Sequence, residues 1–278
     1  MMWASDGAPL TAGVTREMAL PIGAMHIAIR LGDQPLCIFA DARDEKGESV
    51  GTSVLNGVRV RAYCRQVGDP VPSVGAVLRP GAVELLSRAP AGVLASRHTR
   101  LEDLWPAREL SRLLQRLHEA PSLDARLLVL EDMLSARLPH LRGIDPLIAH
   151  ALMRFDEGAT VKAFVIESGF SHRHVARQFT EAVGVGPKTY LRLLRFNRTL
   201  AQLHARPELC LAEVSIAMGY ADQAHMTREF KEFSTFSPDR FRRIAPAHPR
   251  HVPLFANGTH VSFLQDTSMD QRESDKTN

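Results

Sequence analysis

The chain has 278 residues, enough for two domains and a sizeable core, and its 45% apolar and 23% charged content is that of an ordinary globular protein. No run approaches 18 uninterrupted apolar residues and no basic-then-apolar leader opens the chain, which predicts neither a membrane span nor a signal peptide, and a cytoplasmic protein. Basic and acidic side chains number 34 and 31, so the formal charge of +3 does not by itself imply nucleic acid.

Met1 to about Arg16 is rich in Gly, Ala and Thr and is expected to be irregular. From Ala19 to about Ser96, short apolar runs alternate with turn residues and predict a strand-rich region. "MHIAIRL" alternates weakly and "PLCIFA" is a compact apolar run. "NGVRVRAYC" alternates Val58, Val60 and Ala62 against Arg59, Arg61 and Tyr63, with Asn56-Gly57 placed for a tight turn ahead of it. The charged run Asp41 to Ser49 reads as a solvated loop. Two amphipathic helices follow. Leu110, Leu113, Leu114 and Leu117 share a face of the first; Leu123, Leu127, Leu130, Leu134 and Leu138 line the second, with Ser122 as its N-cap. These stripes pack on their own domain or form a subunit interface. Pro139 to Pro146 is a predicted interdomain hinge.

The expected division is a strand-rich effector or regulatory domain over 1–106, a helical pair and hinge over 107–144, an all-helical domain over 145–245, and a partly disordered tail over 246–278 with one short strand at "VSFLQD". The fold class is therefore α+β. Cys37, Cys64 and Cys210 are odd in number and widely spaced, and read as small core residues in a reducing compartment, with redox or alkylation sensing as the alternative.

The most informative pattern is a repeat in the helical domain. "ESGFSHRHVARQFTEAVGVGPKTYLR" (Glu167 to Arg192) is echoed about 50 residues later by "AMGYADQAHMTREFKEFSTFSPDRFRR" (Ala217 to Arg243). Gly169-Phe170 matches Gly219-Tyr220, and Phe179, Pro187 and Tyr190 match Phe230, Pro238 and Phe241. Each unit reads as a helix-turn-helix. In the first, Thr160 caps a helix carrying Val161, Phe164 and Val165, Gly169 turns, Phe170 plugs the core, and Ser171 caps the next helix. Val175, Phe179 and Val183 then face inward, leaving His172, Arg173, Ala176 and Arg177 outward. In the second, Leu211 and Val214 pack inward, Tyr220 plugs the core and Asp222 caps. Met226 and Phe230 are buried, leaving Gln223, Ala224, Thr227 and Arg228 outward, with His225 ambiguous.

A recognition helix presents such residues to base edges in the major groove. Arg173 and Arg177 suit guanine, Gln223 suits adenine, Ala176 suits a thymine methyl, and Arg228 suits guanine or phosphate. Pro187 opens a helix to about Ala205, about 28 Å long. That length holds two heads near one DNA turn, about 34 Å, apart. Residues Ser171 to Leu200 carry Arg173, Arg177, Lys188, Arg192, Arg195 and Arg198 against Glu181, a predicted phosphate footprint with Lys188 and Arg195 as backbone contacts. The partner expected from these residues is double-stranded DNA.

On these motifs, residues Ile144 to Arg243 resemble the AraC/XylS family of bacterial transcription regulators. The resemblance implies a seven-helix, two-headed DNA-binding domain that acts on promoters, often as an activator that recruits RNA polymerase. "LPIGAMHIAIRL", "VGAVLRPGAVELL" and "TRLEDLWPA" are similar to the N-terminal half of one branch of such regulators, which implies a module that binds a small-molecule effector or forms a homodimer. Two positions depart from the pattern. Val165 stands where the family has alanine, with Ser215 at the same place in the second unit, and Ile22 replaces an acidic residue of the N-terminal branch.

No G-x-S-x-G, P-loop, Rossmann fingerprint or H-E-x-x-H is found, so no catalytic residue, metal or cofactor is expected. His172 and His174 point to different faces of one helix, and His26 stands alone in the strand-rich region. Cys37 and Cys64 cannot supply the metal-binding cysteine cluster of the methyl-accepting repair regulators. The alternative function is an architectural or accessory DNA-binding protein without effector control.

Overall fold

Residues 1–7, 14–67, 71–139 and 143–255 are described by the structure, a computed structural model. The strand-rich and helical regions appear in the predicted order. One sheet runs β1 (Met2–Ser5), β8 (Ser73–Val77), β3 (His26–Arg30), β6 (Ser53–Asn56) and β9 (His98–Arg100). The other runs β10 (His251–Phe255), β2 (Val14–Ala19), β7 (Tyr63–Gln66), β4 (Cys37–Phe39) and β5 (Glu48–Ser49), and all pairings are antiparallel. Alternation explains β3: Ile27 and Ile29 are buried on one face, while His26, Ala28 and Arg30 occupy the other.

Two short helices follow, α1 (Val83–Ser87) and α2 (Ala91–Leu94), then α3 (Ala107–Glu119) and α4 (Leu123–Arg137). Leu110, Leu113 and Leu117 of α3 are buried as their spacing predicts. Ser122 caps α4 by accepting from the Ala125 N–H at 3.1 Å. The α4 stripe is used mainly within its own domain, against α3, β1 and β8, with Leu130 buried and Leu127 and Leu134 partly so. Leu128 and Leu138 remain exposed.

Seven helices follow among the described residues: α5 (Pro146–Asp156), α6 (Val161–Ser168), α7 (His172–Val183), α8 (Pro187–Ala205), α9 (Leu211–Ala217), α10 (Gln223–Ser234) and α11 (Pro238–Ile244). A continuous apolar core joins them to the sheets. At the junction α2 lies on α7. A Cβ on Gly184 (φ +94°), just past α7, would sit 2.7 Å from Val58 and 3.1 Å from the Ala91 carbonyl. The Phe233 carbonyl accepts from the Ala62 N–H at 3.0 Å, and Asn197 Nδ2 donates to the Pro21 carbonyl at 3.1 Å.

Several expectations are corrected. Residues 2–5 are not irregular but form β1, held in register by β8; residues 8–13 lie outside the described residues. Asn56-Gly57 does not begin a hairpin. Asn56 ends β6, and Gly57 passes so close to the segment after α2 that a Cβ would fall 1.9 Å from the Leu94 carbonyl. Residues 58–62 are therefore a packed loop rather than a strand. Within the tail, 251–255 forms a strand the sequence reading did not expect, β10, paired to β2. "VSFLQD" lies outside the described residues, as do 140–142 of the predicted hinge. Of the cysteines, Cys64 is a core residue whose thiol is pushed up to about 11 by burial, whereas Cys210 is exposed. Nor is His26 alone: register sets it beside Asn56, and Asn56 beside His98.

The β10 strand is fastened by charge. Glu17 of β2 is 4% exposed and ion-paired to Arg65 of β7, and His251 Nδ1 lies 2.8 Å from the same carboxylate. Burial would raise the Glu17 pKa, but the hydrogen bond from His251 and the charge of Arg65 outweigh it and hold the pKa at about 2 rather than 4.5. A depressed carboxyl pKa stabilises the fold above its unfolded value, and this contribution fades as pH falls toward the folded one. Glu17→Gln is expected to cost about 3 kcal/mol near neutral pH, with the difference from wild type shrinking as pH falls from 4.5 toward 2 in denaturant titrations. A pH-independent difference would remove the carboxylate from this role.

Candidate nucleic-acid interface

Each repeat unit is built from the local signals in its sequence. In the first, Thr160 Oγ1 accepts from the Ala163 N–H at 3.1 Å to start α6, and Gly169 ends it at φ +70°. Ser171 Oγ accepts from the His174 N–H at 3.2 Å to start α7. In the second, Asp222 Oδ1 accepts from the His225 N–H at 2.6 Å to start α10. The matched aromatics meet in equivalent ways: Phe179 contacts Tyr190 at 5.3 Å between ring centroids, and Phe230 contacts Phe241 at 5.8 Å. Each head thus has its own aromatic core, and α8 spans Pro187–Ala205 as the spacing predicts.

Val175, Phe179 and Val183 of α7, and Met226 and Phe230 of α10, are buried. On α7 this leaves His172, Arg173 and Arg177 exposed and Ala176 half-buried. On α10 it leaves Gln223, Ala224 and Arg228 exposed and Thr227 half-buried. Lys188 is exposed at the start of α8. Arg173, Arg177, Lys188 and Arg228 have no ion-pair partner among the described residues. His225 serves the fold, receiving the Ala221 N–H at 3.3 Å and packing against Tyr220.

Arg195 departs from its expected role. Its guanidinium donates to Glu229 of α10 from Nε at 3.0 Å and from Nη2 at 2.8 Å, and to the Gly219 carbonyl. Arg192 shares the same carboxylate at 2.7 Å and also pairs with Glu232, while Arg198 pairs with Asp156 at 2.9 Å. Half of the basic stripe is therefore committed to internal partners. Those partners lie far away in sequence, which is why a local charge tally overstated the footprint. Burial opposes the ionised Glu229, but hydrogen bonds from Arg195 and Arg192 prevail and lower its pKa.

Phe170 is also corrected. It does not plug the core but is half-exposed and stacked on His174, with ring centroids 4.9 Å apart and 18° between planes. Phe155, Phe164 and Phe179 already fill that core. Its counterpart Tyr220 is buried, with its hydroxyl 3.3 Å from Thr199 Oγ1. Val165 is half-buried at the α6 contact, where Ser215 of the second unit is fully buried. The sequence reading did not single out Ile166 and Ile216, each three residues before its turn glycine and exposed by 73% and 74%. Their equivalent places in the repeat were the available signal.

Residues 148–244 match the family of the helix-turn-helix domain. The chain carries an AraC-type DNA-binding domain. Over 84 residues it is 36% identical to the F1 operon positive regulatory protein of Yersinia pestis, a match covering 30% of this chain and 28% of that protein. An uncharacterized HTH-type transcriptional regulator of Staphylococcus aureus is 26% identical over 95 residues, 34% of this chain and 13% of its own. The chain thus spans less than a third of the length of these relatives. Among solved structures, ToxT from Vibrio cholerae is 10% identical, with 89% of this chain and 98% of that one covered at a TM-score of 0.45. The C-terminal domain of AraT from Geobacillus stearothermophilus is 20% identical, covering 36% and 85%, at a TM-score of 0.34. Among the described residues no helix is long and apolar enough to cross a membrane.

Within the AraC-type domain, Glu229→Ala is expected to destabilise the protein by about 2 kcal/mol. This is below the usual cost of breaking a buried pair because both arginines are partly solvated. Arg195→Ala is expected to lower the melting temperature and leave the salt slope of DNA binding unchanged. A changed slope with unchanged stability would return Arg195 to the phosphate contacts.

Proposed function

We propose that the protein is a sequence-specific transcriptional regulator that inserts α7 and α10 into successive major grooves of promoter DNA, under the control of the strand-rich domain. The observation that carries this reading is the pair of separately capped recognition helices sharing one 19-residue helix, α8. At 1.5 Å per residue that helix is about 28 Å long, close to the roughly 34 Å of one DNA turn. In this reading Arg173 and Arg177 read guanine, Ala176 meets a thymine methyl, Gln223 reads adenine, and His172, Ala224 and Thr227 line the grooves. Arg228 takes guanine or phosphate, and Lys188 takes phosphate. The unit 1–106 together with β10 is the regulatory domain, and a homodimer contact runs along Leu123 to Leu138. RNA polymerase is the expected partner on the promoter.

Nuclease footprinting of the intact protein on the DNA beside its own gene tests the reading. Protection of a discrete site of two adjacent major grooves on one face supports it; uniform coating without sequence preference supports an architectural protein instead. Arg177→Ala is expected to cost about 1–3 kcal/mol of specific binding and to relax the preference at one base pair. Lys188→Ala is expected to weaken binding on all sequences and reduce the salt slope by about 1. Equal weakening on every sequence by Arg177→Ala would make it a phosphate contact.

A further inference from the structure

The two sheets enclose a polar row that the DNA-binding domain does not use. His26, Asn56 and His98 stand directly opposite one another on β3, β6 and β9 and so share one face of the sheet. Arg59, from the loop after β6, joins the row with its Nη2 2.8 Å from His98 Nδ1. A guanidinium only donates, so His98 Nδ1 accepts and its Nε2 carries the proton. Tyr63 closes the side, its ring 5.0 Å from that of His98 and 4.7 Å from the Arg59 Cζ. Ala28 and Val54, next along the same strands, pack with Leu36, Ile38 and Val50 into an apolar patch.

Four buried atoms of this row have no hydrogen-bond partner among the described residues: His26 Nδ1, Asn56 Oδ1, Arg59 Nε and His98 Nε2. Buried polar groups are costly unless something completes their bonds, and four from adjacent side chains mark a place for a ligand. Its chemistry follows from what is unmet. Arg59 Nε and His98 Nε2 are donors beside a guanidinium that has no carboxylate ion pair among the described residues. Asn56 turns its amide NH2 to the His26 carbonyl at 3.4 Å, leaving Oδ1 to accept. Burial and the neighbouring arginines hold His26 down at about 4 and His98 at about 3, so both rings are neutral at physiological pH and do not add to the charge of Arg59. An uncharged polyol would leave that charge unneutralised. The described residues include no group of three or more metal-ligating side chains.

We propose that the row binds a small hydroxylated carboxylate, whose carboxylate accepts from Arg59 Nε and whose hydroxyl accepts from His98 Nε2 and donates to Asn56 Oδ1. Any effect of this ligand on DNA rests on the regulatory reading above, whereas binding itself does not.

The test is thermal unfolding of the full chain at constant ionic strength, titrated with L-lactate, D-gluconate, acetate and sorbitol. Lactate or gluconate is expected to raise the melting temperature with saturation, acetate to act more weakly, and sorbitol to give only the non-saturating rise of an excluded cosolvent. Arg59→Gln is expected to abolish the saturable rise without lowering the melting temperature of the ligand-free protein, because the half-buried guanidinium has no carboxylate bonded to it among the described residues. A merely structural Arg59 would lower it. Exposed Arg61→Gln keeps the response, and His98→Gln supplies a second loss-of-response variant should Arg59→Gln fail to fold. No saturable rise with either hydroxy acid, a rise that survives both site variants, or a saturable sorbitol response equal to that of gluconate would each overturn the assignment. Mobility shifts on the same protein separate the two readings. Sequence-specific DNA binding without a saturable rise removes the ligand site alone, and a saturable rise without sequence preference removes the regulator alone.

Discussion

Glu229 decides where the second recognition helix can point. Its carboxylate is buried under α8 and is held by Arg192 and Arg195, which leave that helix one turn apart. A buried carboxylate without such partners would be strongly destabilising, so α10 cannot roll on α8 without breaking both pairs. The first head lacks this device. The residue of α7 that corresponds to Glu229, just before the matched phenylalanine, is the neutral and half-buried Gln178. What holds α7 on its far side is apolar instead: α2 lies against it, and Gly184 brings its end within van der Waals distance of Val58 and Ala91. One head is therefore clamped to the rod by charge and meets the strand-rich domain where the Phe233 carbonyl accepts from the Ala62 N–H, while the other packs on that domain through α2.

The return of the chain as β10 ties the second head to the sheets as well. After α11 the backbone crosses back and pairs with β2, so the helical domain is tied to the sheets at both of its ends. The tie is not a passive strand addition, because His251 brings its imidazole to the buried Glu17. Domain boundaries drawn along the sequence miss this, since the second sheet is completed by residues more than 230 positions after those of β2 with which they pair.

What could be read from the sequence was what local chemistry controls. The bounds of α8 follow from Pro187 at its first turn, and the caps Ser122, Thr160, Ser171 and Asp222 act as their side chains suggest. The pairing of Phe179 with Tyr190 and of Phe230 with Phe241 was visible because a repeat supplies its own control. The illegible features depend on neighbours remote in sequence. Alternation in 58–62 resembled a strand, but the chain there is held by the segment after α2. Phe170 looked like Tyr220, yet Tyr220 is held in place by Thr199 and Arg195 of α8, whereas Phe170 stacks on His174. His26 looked isolated because its company comes through the register of β6 and β9.

The charge of α8 carries the same lesson into function. Once Arg192, Arg195 and Arg198 are neutralised by Glu229, Glu232 and Asp156, the positive charge of that region facing outward is carried by Arg173, Arg177 and Lys188. Sequence-independent affinity grows with the number of phosphates neutralised, so a surface with few free cations holds random DNA weakly. In the proposed reading, discrimination comes from base-edge contacts and from the spacing of two heads, both of which fail on the wrong sequence. Internal ion pairing thus does two things at once. In the proposed reading it fixes α10 on α8, and it removes charge that would otherwise strengthen binding to any sequence.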